Sequence, residues 1–307
     1  MQNNPLVTVN ILSYNRRDEL KHTLTRVHEQ EYKNIEVIVV DNASCDGTPE
    51  MIKEFFPSVN LIQLKKNIGA PGYNYGFKAA KGEYILILDD DSYPTNNTIC
   101  ELLNVIKSNP KIGIVAAKIN NTLLDFCETQ NYPANPFSFV GCGALLDISK
   151  LEEVGYYDKN IFIYLNELNL TSKFIDKGYS VVYCDTATVY HNQSLKSRGE
   201  SNNPFISDYR YKNYFWGMSY FLMSKFSFQN ILIYQTKWLV NRVIIALFNH
   251  KILLFFKCLF NLIINFGVIF SNRRILNYST QKFYKKGNIF PLVDRDYFPN
   301  FRKNKEA

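Results

Sequence analysis

The segment "EYILILDDDSYP", residues 83–94, places an apolar run directly before three consecutive aspartates. The run "YILIL" has the composition of a buried strand. Adjacent carboxylates repel one another and cost free energy to desolvate, so Asp89, Asp90 and Asp91 need a reason to stand at its end. One explanation is a solvated turn in which one aspartate caps a helix. The other is a divalent cation site, because Mg²⁺ and Mn²⁺ prefer oxygen ligands.

The spacing of the aspartates indicates which of them would hold a cation. Side chains alternate along an extended segment, so Asp89 and Asp91 lie on one side of it. We predict these two as ligands of Mg²⁺ or Mn²⁺, with Asp90 turned towards the bound substrate.

The first 95 residues repeat one pattern, in which an apolar strand is followed by polar turn residues and usually by a helix. The strand patterns are "VTVNIL", "IEVIVV", "NLIQL" and "YILIL". Strands that alternate with helices predict a parallel, helix-covered sheet, and such sheets bind ligands at the carboxyl ends of their strands. The polar residues that follow these strands are Tyr14, Asn15, Asp41, residues 67–74 and residues 89–91. We therefore expect one ligand crevice at one sheet edge.

Three of these segments together resemble the inverting nucleotide-sugar glycosyltransferases of family two. They are "VTVNILSYNR" (7–16), "EVIVVDNASCDGT" (36–48) and "NIGAPGYNYGFKAAKGEYILILDDD" (67–91). The resemblance runs through most of residues 6–192. It implies a GT-A fold, which is an α/β fold with a Rossmann-like mixed sheet. It also implies transfer of a sugar from a UDP- or dTDP-sugar to a hydroxyl of a glycan acceptor, in the synthesis of a lipid-linked polysaccharide.

The resemblance also implies a set of residues that contact the nucleotide sugar: Tyr14, Asn15, Arg16, Asp41, Asn67, Gly69, Gly72, Asn74, Asp89 and Asp90. Tyr14 would lie against the base, and Asp41 would hydrogen-bond the base or the ribose. The loop 67–74 would lie over the diphosphate and sugar, where glycines allow close backbone approach. The alternatives are that Asp41 caps a turn and that the loop is a plain surface turn.

An inverting transfer needs a general base that takes the proton of the acceptor hydroxyl. The family carries this base in a Glu-Asp pair at a helix start, followed two residues on by Asp-Leu. This chain has "NELNL" there, with Asn166, Glu167 and Asn169 at the three acidic positions. Glu167 is the only carboxylate of the stretch, so we predict it as the base. The alternative is an ordinary first-turn residue favoured by the helix dipole. Because Asn166 and Asn169 carry no charge, the pKa of the base would be raised less than by neighbouring carboxylates.

His191 ends the strand pattern "SVVYCDTATVYH". A lone histidine is usually structural. A histidine at this place resembles one that completes the metal site in galactofuranosyl- and rhamnosyltransferase-like branches, which implies His191 as a third metal ligand. The polar segment "NQSLKSRGES" (192–201) that follows is either a flap over the donor or a linker. On the acceptor side, Gly141 and Gly143 would let the backbone pass close to the sugars.

The charge of the chain changes near residue 200, where we place a domain boundary. Residues 1–200 have a net charge of −5 and residues 201–307 a net charge of +12. We predict a catalytic domain over 1–200, with a donor half at 1–95 and an acceptor half at 96–200, and a basic, mainly helical region over 201–307. A basic tail on an acidic body indicates an anionic partner surface.

The tail pattern favours a membrane surface over nucleic acid. In "ILLFFKCLFNLIINFGVIF" (252–270), Lys257, Asn261 and Asn265 form one polar stripe, as in an amphipathic interfacial helix. The alternative is packing on the catalytic domain or in a homodimer. A spanning helix is disfavoured because Lys257 is costly in hydrocarbon. We expect a cytoplasmic protein, peripheral on the inner face of the cell membrane, that binds no nucleic acid.

The cysteines and the N-terminus fit this location. The six cysteines form no CxxC pair, and no signal-peptide pattern opens the chain, so we expect free thiols in a reducing cytoplasm. Two other functions remain open. A nucleotidyltransferase would carry an early glycine-rich signature with Arg and Lys, and "SYNRRDEL" has no glycine. An inactive glycan-binding module is supported by the altered "NELN" segment.

Overall fold

The computed structural model describes residues 4–122, 125–192 and 207–286. These residues form two compact units. Unit 1 comprises the described residues up to 162 and those from 167 to 192, and unit 2 comprises residues 163–166 and 207–286. The predicted boundary near residue 200, and residues 193–201 of the predicted flap or linker, lie outside the described residues.

Unit 1 is built on a mixed sheet. Its strands are β1 (Val7–Ser13), β2 (Ile35–Asp41), β3 (Asn60–Gln63), β4 (Tyr84–Asp89), β5 (Ser92–Pro94), β6 (Ile112–Asn121), β7 (Phe126–Cys127), β8 (Ala144–Asp147) and β9 (Ser180–His191). The spatial order is β3-β2-β1-β4-β8-β6-β9-β5, with β7 beside β6. The predicted parallel arrangement of the first four strands, β1 to β4, is confirmed. Strand β8 runs antiparallel to both β4 and β6, which makes the sheet mixed.

The helices of this part of the chain are α1 (Arg17–His28), α2 (Thr48–Phe55), α3 (Tyr73–Ala79), α4 (Thr98–Ser108), α5 (Ile148–Val154) and α6 (Asn166–Asp176). The apolar core has two parts, and β4 contributes to both. Leu86 and Leu88 pack in one cluster, and Ile85 and Ile87 pack in the other. A strand that is buried on both faces reads as a continuous apolar run, which is why "YILIL" does not alternate.

The parallel register brings the carboxyl ends of three strands side by side. Ser13 at the end of β1 pairs with Asp41 of β2, and Leu12 pairs with Asp89 of β4. The polar residues that follow these strands therefore share one sheet edge, as the sequence predicts.

Unit 2 is helical in its described part. Its helices are α7 (Asp208–Lys225), α8 (Phe228–Phe248), α9 (Ile252–Ile264), α10 (Phe266–Ser271) and α11 (Tyr278–Lys286). Among the described residues, α8 is the one helix whose length and apolar composition would suffice to cross a bilayer. It also carries Arg242, whose guanidinium lies 4.1 Å from the centre of the Trp238 ring and is fully buried.

Candidate active site

Arg16, in the loop after β1, partly compensates the charge of the aspartate run. Its Nη1 lies 2.9 Å from Asp90 Oδ1 and 2.5 Å from Asp91 Oδ2. The backbone N–H of Tyr14 donates to Asp90 Oδ2 at 3.1 Å. Burial raises the pKa of Asp90 to about 7, although Arg16 opposes the shift. The Asp90 carboxylate therefore faces the β1 loop, and its predicted contact with the donor stays a prediction.

Asp89 is oriented by Tyr73, at the start of α3. The Tyr73 hydroxyl lies 2.7 Å from Asp89 Oδ1 and 2.7 Å from the Leu88 carbonyl oxygen. Burial and the charge of Asp91 raise the pKa of Asp89, whereas the Tyr73 hydroxyl lowers it. A hydrogen bond to the carboxylate favours its charged form, so Tyr73 supports the ionised state that a cation requires.

Strand pairing brings His191 to the same aspartates. His191 of β9 pairs with Ser92 of β5, the residue after Asp91. Its Nε2 lies 3.3 Å from Asp91 Oδ1. That nitrogen is buried and makes no hydrogen bond. One ring nitrogen of His191, one carboxylate oxygen of Asp89 and the Cys142 Sγ all lie within 4.8 Å of one another.

These groups fit a divalent cation. The unsatisfied Nε2 of His191 faces carboxylate oxygens, and oxygen with imidazole nitrogen is a donor set that suits Mn²⁺ and Mg²⁺. Burial raises the pKa of the Cys142 thiol to about 12, so this neighbour stays protonated at neutral pH. The structure thus brings together the three predicted metal ligands, Asp89, Asp91 and His191. Their role as ligands stays a prediction.

The second ring nitrogen of His191 has a partner of its own. Nδ1 lies 2.8 Å from Glu128 Oε1. Burial would lower the pKa of the His191 imidazolium, but the neighbouring carboxylates of Asp91 and Glu128 outweigh burial and raise it. The ring is thus held between carboxylates on both of its nitrogens.

Glu167 stands in the first turn of α6 and close to Gly141. A Cβ at position 141 would lie 2.5 Å from Glu167 Oε1. Burial raises the pKa of Glu167 to about 7, with a smaller contribution from the charge of Asp89. The sequence predicts a smaller rise in the pKa of Glu167 because the neighbouring acidic residues are absent, but burial raises this pKa instead. A carboxylate with a pKa near 7 suits a general base at neutral pH.

The two glycines of the loop 67–74 are required by packing within the protein. Gly69 has φ +71°, and a Cβ there would lie 2.0 Å from the Phe162 carbonyl oxygen. A Cβ on Gly72 would lie 2.5 Å from Leu12 Cδ1. The sequence attributes these glycines to close approach of the donor, whereas the structure shows close approach of protein atoms.

The two asparagines of this loop also bond to the backbone. Asn74 donates to the Tyr157 carbonyl oxygen at 2.9 Å and accepts from the Tyr157 N–H at 3.0 Å. Asn67 Oδ1 accepts from the Gly69 N–H at 2.9 Å. These bonds favour a structural role for both amides, and their predicted contact with a donor stays a prediction.

The loops after β1 and β2 are tied together beside this site. Asn15 adopts φ +52°, and its Oδ1 accepts from the Cys45 N–H at 2.8 Å. Both carboxylate oxygens of Asp41 accept from the Ser44 N–H, at 3.2 and 3.3 Å, as in a turn cap, and the predicted contact of Asp41 with the base or the ribose stays a prediction. The Tyr14 side chain is 44% exposed, which leaves its ring accessible.

Residues 8–155 match the family described as Glycosyl transferase family 2. These residues are therefore similar to a glycosyl transferase family 2 domain. Two curated relatives are the poly-beta-1,6-N-acetyl-D-glucosamine synthases of Staphylococcus epidermidis and Staphylococcus aureus (strain MSSA476). The first is 30% identical over 172 residues, which cover 48% of this chain and 41% of the relative. The second is 26% identical over 201 residues, which cover 58% and 47%. The chain thus spans less than half the length of either relative.

Solved structures share the fold. The mannosyltransferase PcManGT from Pyrobaculum calidifontis, in complex with GDP-Man and Mn²⁺, superposes with a TM-score of 0.59 at 16% identity, over 95% of this chain and 81% of that one. S. aureus TarS 1–349, in complex with UDP-GlcNAc, gives 0.52 at 16% identity, over 67% and 64%. The predicted GT-A fold with C-terminal helices is confirmed. The rhamnosyl- or galactofuranosyltransferase-like subtype stays a prediction.

Sequence reasoning missed three residues that lie close to the predicted metal ligands, namely Tyr73, Cys142 and Glu128. Tyr73 lies inside the quoted 67–91 segment, which is the one sequence signal that points to it, whereas its contact with Asp89 joins residues 16 positions apart. Cys142 precedes β8 and Glu128 follows β7, and both of these strands pair with β6, which brings the two residues to the site. No local pattern in the sequence marks them.

Proposed function

We propose that this domain transfers a sugar from a nucleotide sugar to a hydroxyl of a glycan acceptor, with inversion at the anomeric carbon. The observation that carries the proposal is that Glu167, whose pKa is raised to about 7 by burial and by the charge of Asp89, stands near a cluster of side chains that could hold a cation. A base with this pKa takes a proton from an attacking hydroxyl most effectively near neutral pH.

Each group has one task in this reaction. Asp89, Asp91 and His191 would hold Mg²⁺ or Mn²⁺, which when bound stabilises the charge that develops on the departing nucleoside diphosphate. Tyr73 keeps Asp89 oriented through its 2.7 Å contact. Glu167 accepts the proton of the acceptor hydroxyl as the hydroxyl oxygen attacks. Tyr14, with its exposed ring, and Asp41 would receive the base and ribose.

The relatives guide the choice of donor. Two are named as synthases of an N-acetylglucosamine polymer, and the TarS structure holds UDP-GlcNAc. We therefore propose a UDP-sugar as the first donor to test, with dTDP-sugars next, and a lipid-linked glycan as the acceptor. The product would be a step in the synthesis of a polysaccharide.

Release of nucleoside diphosphate from a panel of UDP-, dTDP- and GDP-sugars tests the proposal. We expect release with one donor class in the presence of Mn²⁺ or Mg²⁺, its loss in excess EDTA, and its loss in Asp91→Ala. NMR of the new glycosidic bond tests inversion. Full activity of Asp91→Ala or in EDTA contradicts the metal site. Glycan binding without transfer indicates an inactive module, and pyrophosphate release from a nucleoside triphosphate and a sugar phosphate indicates a nucleotidyltransferase.

Unit 2 carries an apolar surface that suits a lipid interface. The exposed apolar side chains of α8 and α9 are Phe228, Leu232, Ile233, Val240, Ile244, Leu247, Phe248, Leu253, Phe256, Phe260, Ile263 and Ile264. In α9, Leu254, Phe255, Cys258 and Leu262 are buried on the opposite side. The sequence predicts one apolar and one polar face for α9, whereas the structure shows apolar side chains on its exposed side as well, next to the exposed Lys257.

We propose that this exposed surface lies in the interface of an anionic membrane. Apolar side chains beside lysines are the pattern of interfacial helices. The excess of basic residues, 16 Lys and Arg against 4 Asp and Glu after residue 200, favours anionic lipid. A homodimer through the same surface is the alternative occupant.

A further inference from the structure

We propose that Glu128 is a positioning residue that aims His191 Nε2 at the cation, an inference that rests on the proposed metal site. Histidines that bind metals usually donate their other ring N–H to a carboxylate or a carbonyl, which fixes both the tautomer and the ring orientation. Glu128 Oε1 lies 2.8 Å from His191 Nδ1, and their side chains are 18% and 5% exposed.

The tautomer follows from the chemistry of the partners. An ionised carboxylate only accepts hydrogen bonds, so the Nδ1 nitrogen that faces Glu128 carries a proton. Metal binding requires the neutral ring and releases the second proton, so the lone pair is then on Nε2. That nitrogen lies 3.3 Å from Asp91 Oδ1 and makes no hydrogen bond. The proton-bearing side of the ring therefore faces Glu128, and the ligand side faces the predicted cation position.

The fold holds Glu128 in place from two directions. Its backbone N–H donates to the Ile119 carbonyl oxygen at 2.8 Å, beside the pairing of β7 with β6. Its Oε1 also accepts from Asn121 Nδ2 at 3.1 Å. Asn121 is the β6 residue that pairs with His191 on β9. Asn121, Glu128 and His191 thus form one connected chain of hydrogen bonds.

Binding of Mn²⁺ alone to the full chain tests this role without any need for transfer activity. Free Mn²⁺ is measured by electron paramagnetic resonance during titration of the wild type, Glu128→Ala, His191→Ala and the double variant. We expect Glu128→Ala to weaken Mn²⁺ binding by about 10- to 100-fold, the usual effect of losing such a partner. In the His191→Ala background, loss of Glu128 should add almost nothing, because residues that act through one another are not additive.

Two further variants separate positioning from charge. Glu101 accepts from Thr186 Oγ1 of the same strand β9 at 3.0 Å, so Glu101→Ala removes an equal charge and a comparable side-chain contact away from His191. We expect Glu101→Ala to bind Mn²⁺ like the wild type. Glu128→Gln keeps an oxygen that can accept from Nδ1, so it should retain more affinity than Glu128→Ala. If Glu128→Ala fails to fold by circular dichroism, Glu128→Leu, which fills a similar volume but accepts no hydrogen bond, is measured in its place.

Several outcomes overturn the inference. Wild-type affinity in both Glu128 variants overturns it, as does an equal loss from Glu128→Ala in the presence and absence of His191, which would indicate a long-range effect of charge. If Asp91→Ala abolishes Mn²⁺ binding while the Glu128 variants keep it, the metal site stands and only the positioning role fails. No Mn²⁺ binding by the wild type would overturn both.

Discussion

Gly141 leaves the space that the Glu167 carboxylate occupies, since a Cβ at position 141 would lie 2.5 Å from Glu167 Oε1. Real Cβ atoms do not approach other atoms so closely, so any side chain at 141 must displace Glu167. Glycine is therefore required at position 141 because the side chain of the predicted base lies against it. The prediction from the sequence is that Gly141 lets the backbone lie close to the sugars.

We predict that Gly141→Ala lowers kcat by about 10²-fold and leaves the donor KM within a few-fold, because a displacement of about 1 Å can cost that much in rate. Steady-state kinetics with the nucleotide sugar that the donor panel selects measures both constants. Gly267→Ala serves as the control, because a Cβ there meets no atom within 4 Å. A kcat for Gly141→Ala equal to that of the control would show that Glu167 is not the base or is not displaced.

The raised pKa of Glu167 predicts a pH dependence of transfer. A general base must be deprotonated, so kcat should rise with pH around the Glu167 pKa of about 7 and level off above it. Glu167→Gln should lose this rise and lower kcat by about 10²-fold or more. Donor binding, measured by calorimetry, should persist. Loss of donor binding with unchanged turnover per bound donor would assign Glu167 another role.

The same shift predicts a change in stability. The folded protein binds the Glu167 proton more tightly than the unfolded chain, so the free energy of unfolding falls as pH rises from the unfolded value near 4.5 to about 7. Glu167→Gln removes this loss, so its melting temperature should exceed that of the wild type at pH 8 and approach it at pH 4. Thermal unfolding followed by circular dichroism measures the difference.

Parts of this site could be predicted from the sequence, and others could not. The strand "YILIL" and the grouping of Asp89 with Asp91 follow from local pattern and the alternation of side chains. Glu128 could not be predicted, because its contact with His191 joins residues 63 positions apart through the pairing of three strands. The reason for glycine at positions 69 and 72 also could not be predicted, because the atoms that leave no room for a Cβ there belong to Phe162 and Leu12.

The contact between Tyr73 and Asp89 predicts a role for the hydroxyl in cation binding. Tyr73→Phe removes a donor that favours the ionised form of Asp89, so Mn²⁺ affinity should fall several-fold. The ring still packs against Phe77 and Tyr157, so folding should persist. Tyr157→Phe is the matched control, because the buried Tyr157 hydroxyl has no hydrogen-bond partner. Equal Mn²⁺ affinities for the two variants would contradict this role of Tyr73.

The exposed helices of unit 2 predict binding to anionic membranes. Lys257, Arg274 and Lys282 are exposed. Replacing all three with Gln should weaken binding to anionic liposomes by about 10²-fold, because each basic residue near such a surface contributes about 1 kcal/mol. High salt should reproduce part of this loss by screening. Flotation with anionic and with neutral liposomes measures the binding.

A matched triple variant tests whether the location of these charges matters. Lys53, Lys81 and Lys111 of unit 1 are also exposed, so their replacement with Gln removes the same total charge. This variant should float like the wild type, because its charges lie outside the proposed interface. Leu253→Ser with Phe260→Ser should remove the salt-resistant part of the binding, since both side chains are exposed and apolar. Two results together would assign the surface to a second copy of the chain. The protein would float equally with neutral and anionic lipid, or with neither. Light scattering would also show a dimer that these two serine substitutions dissociate.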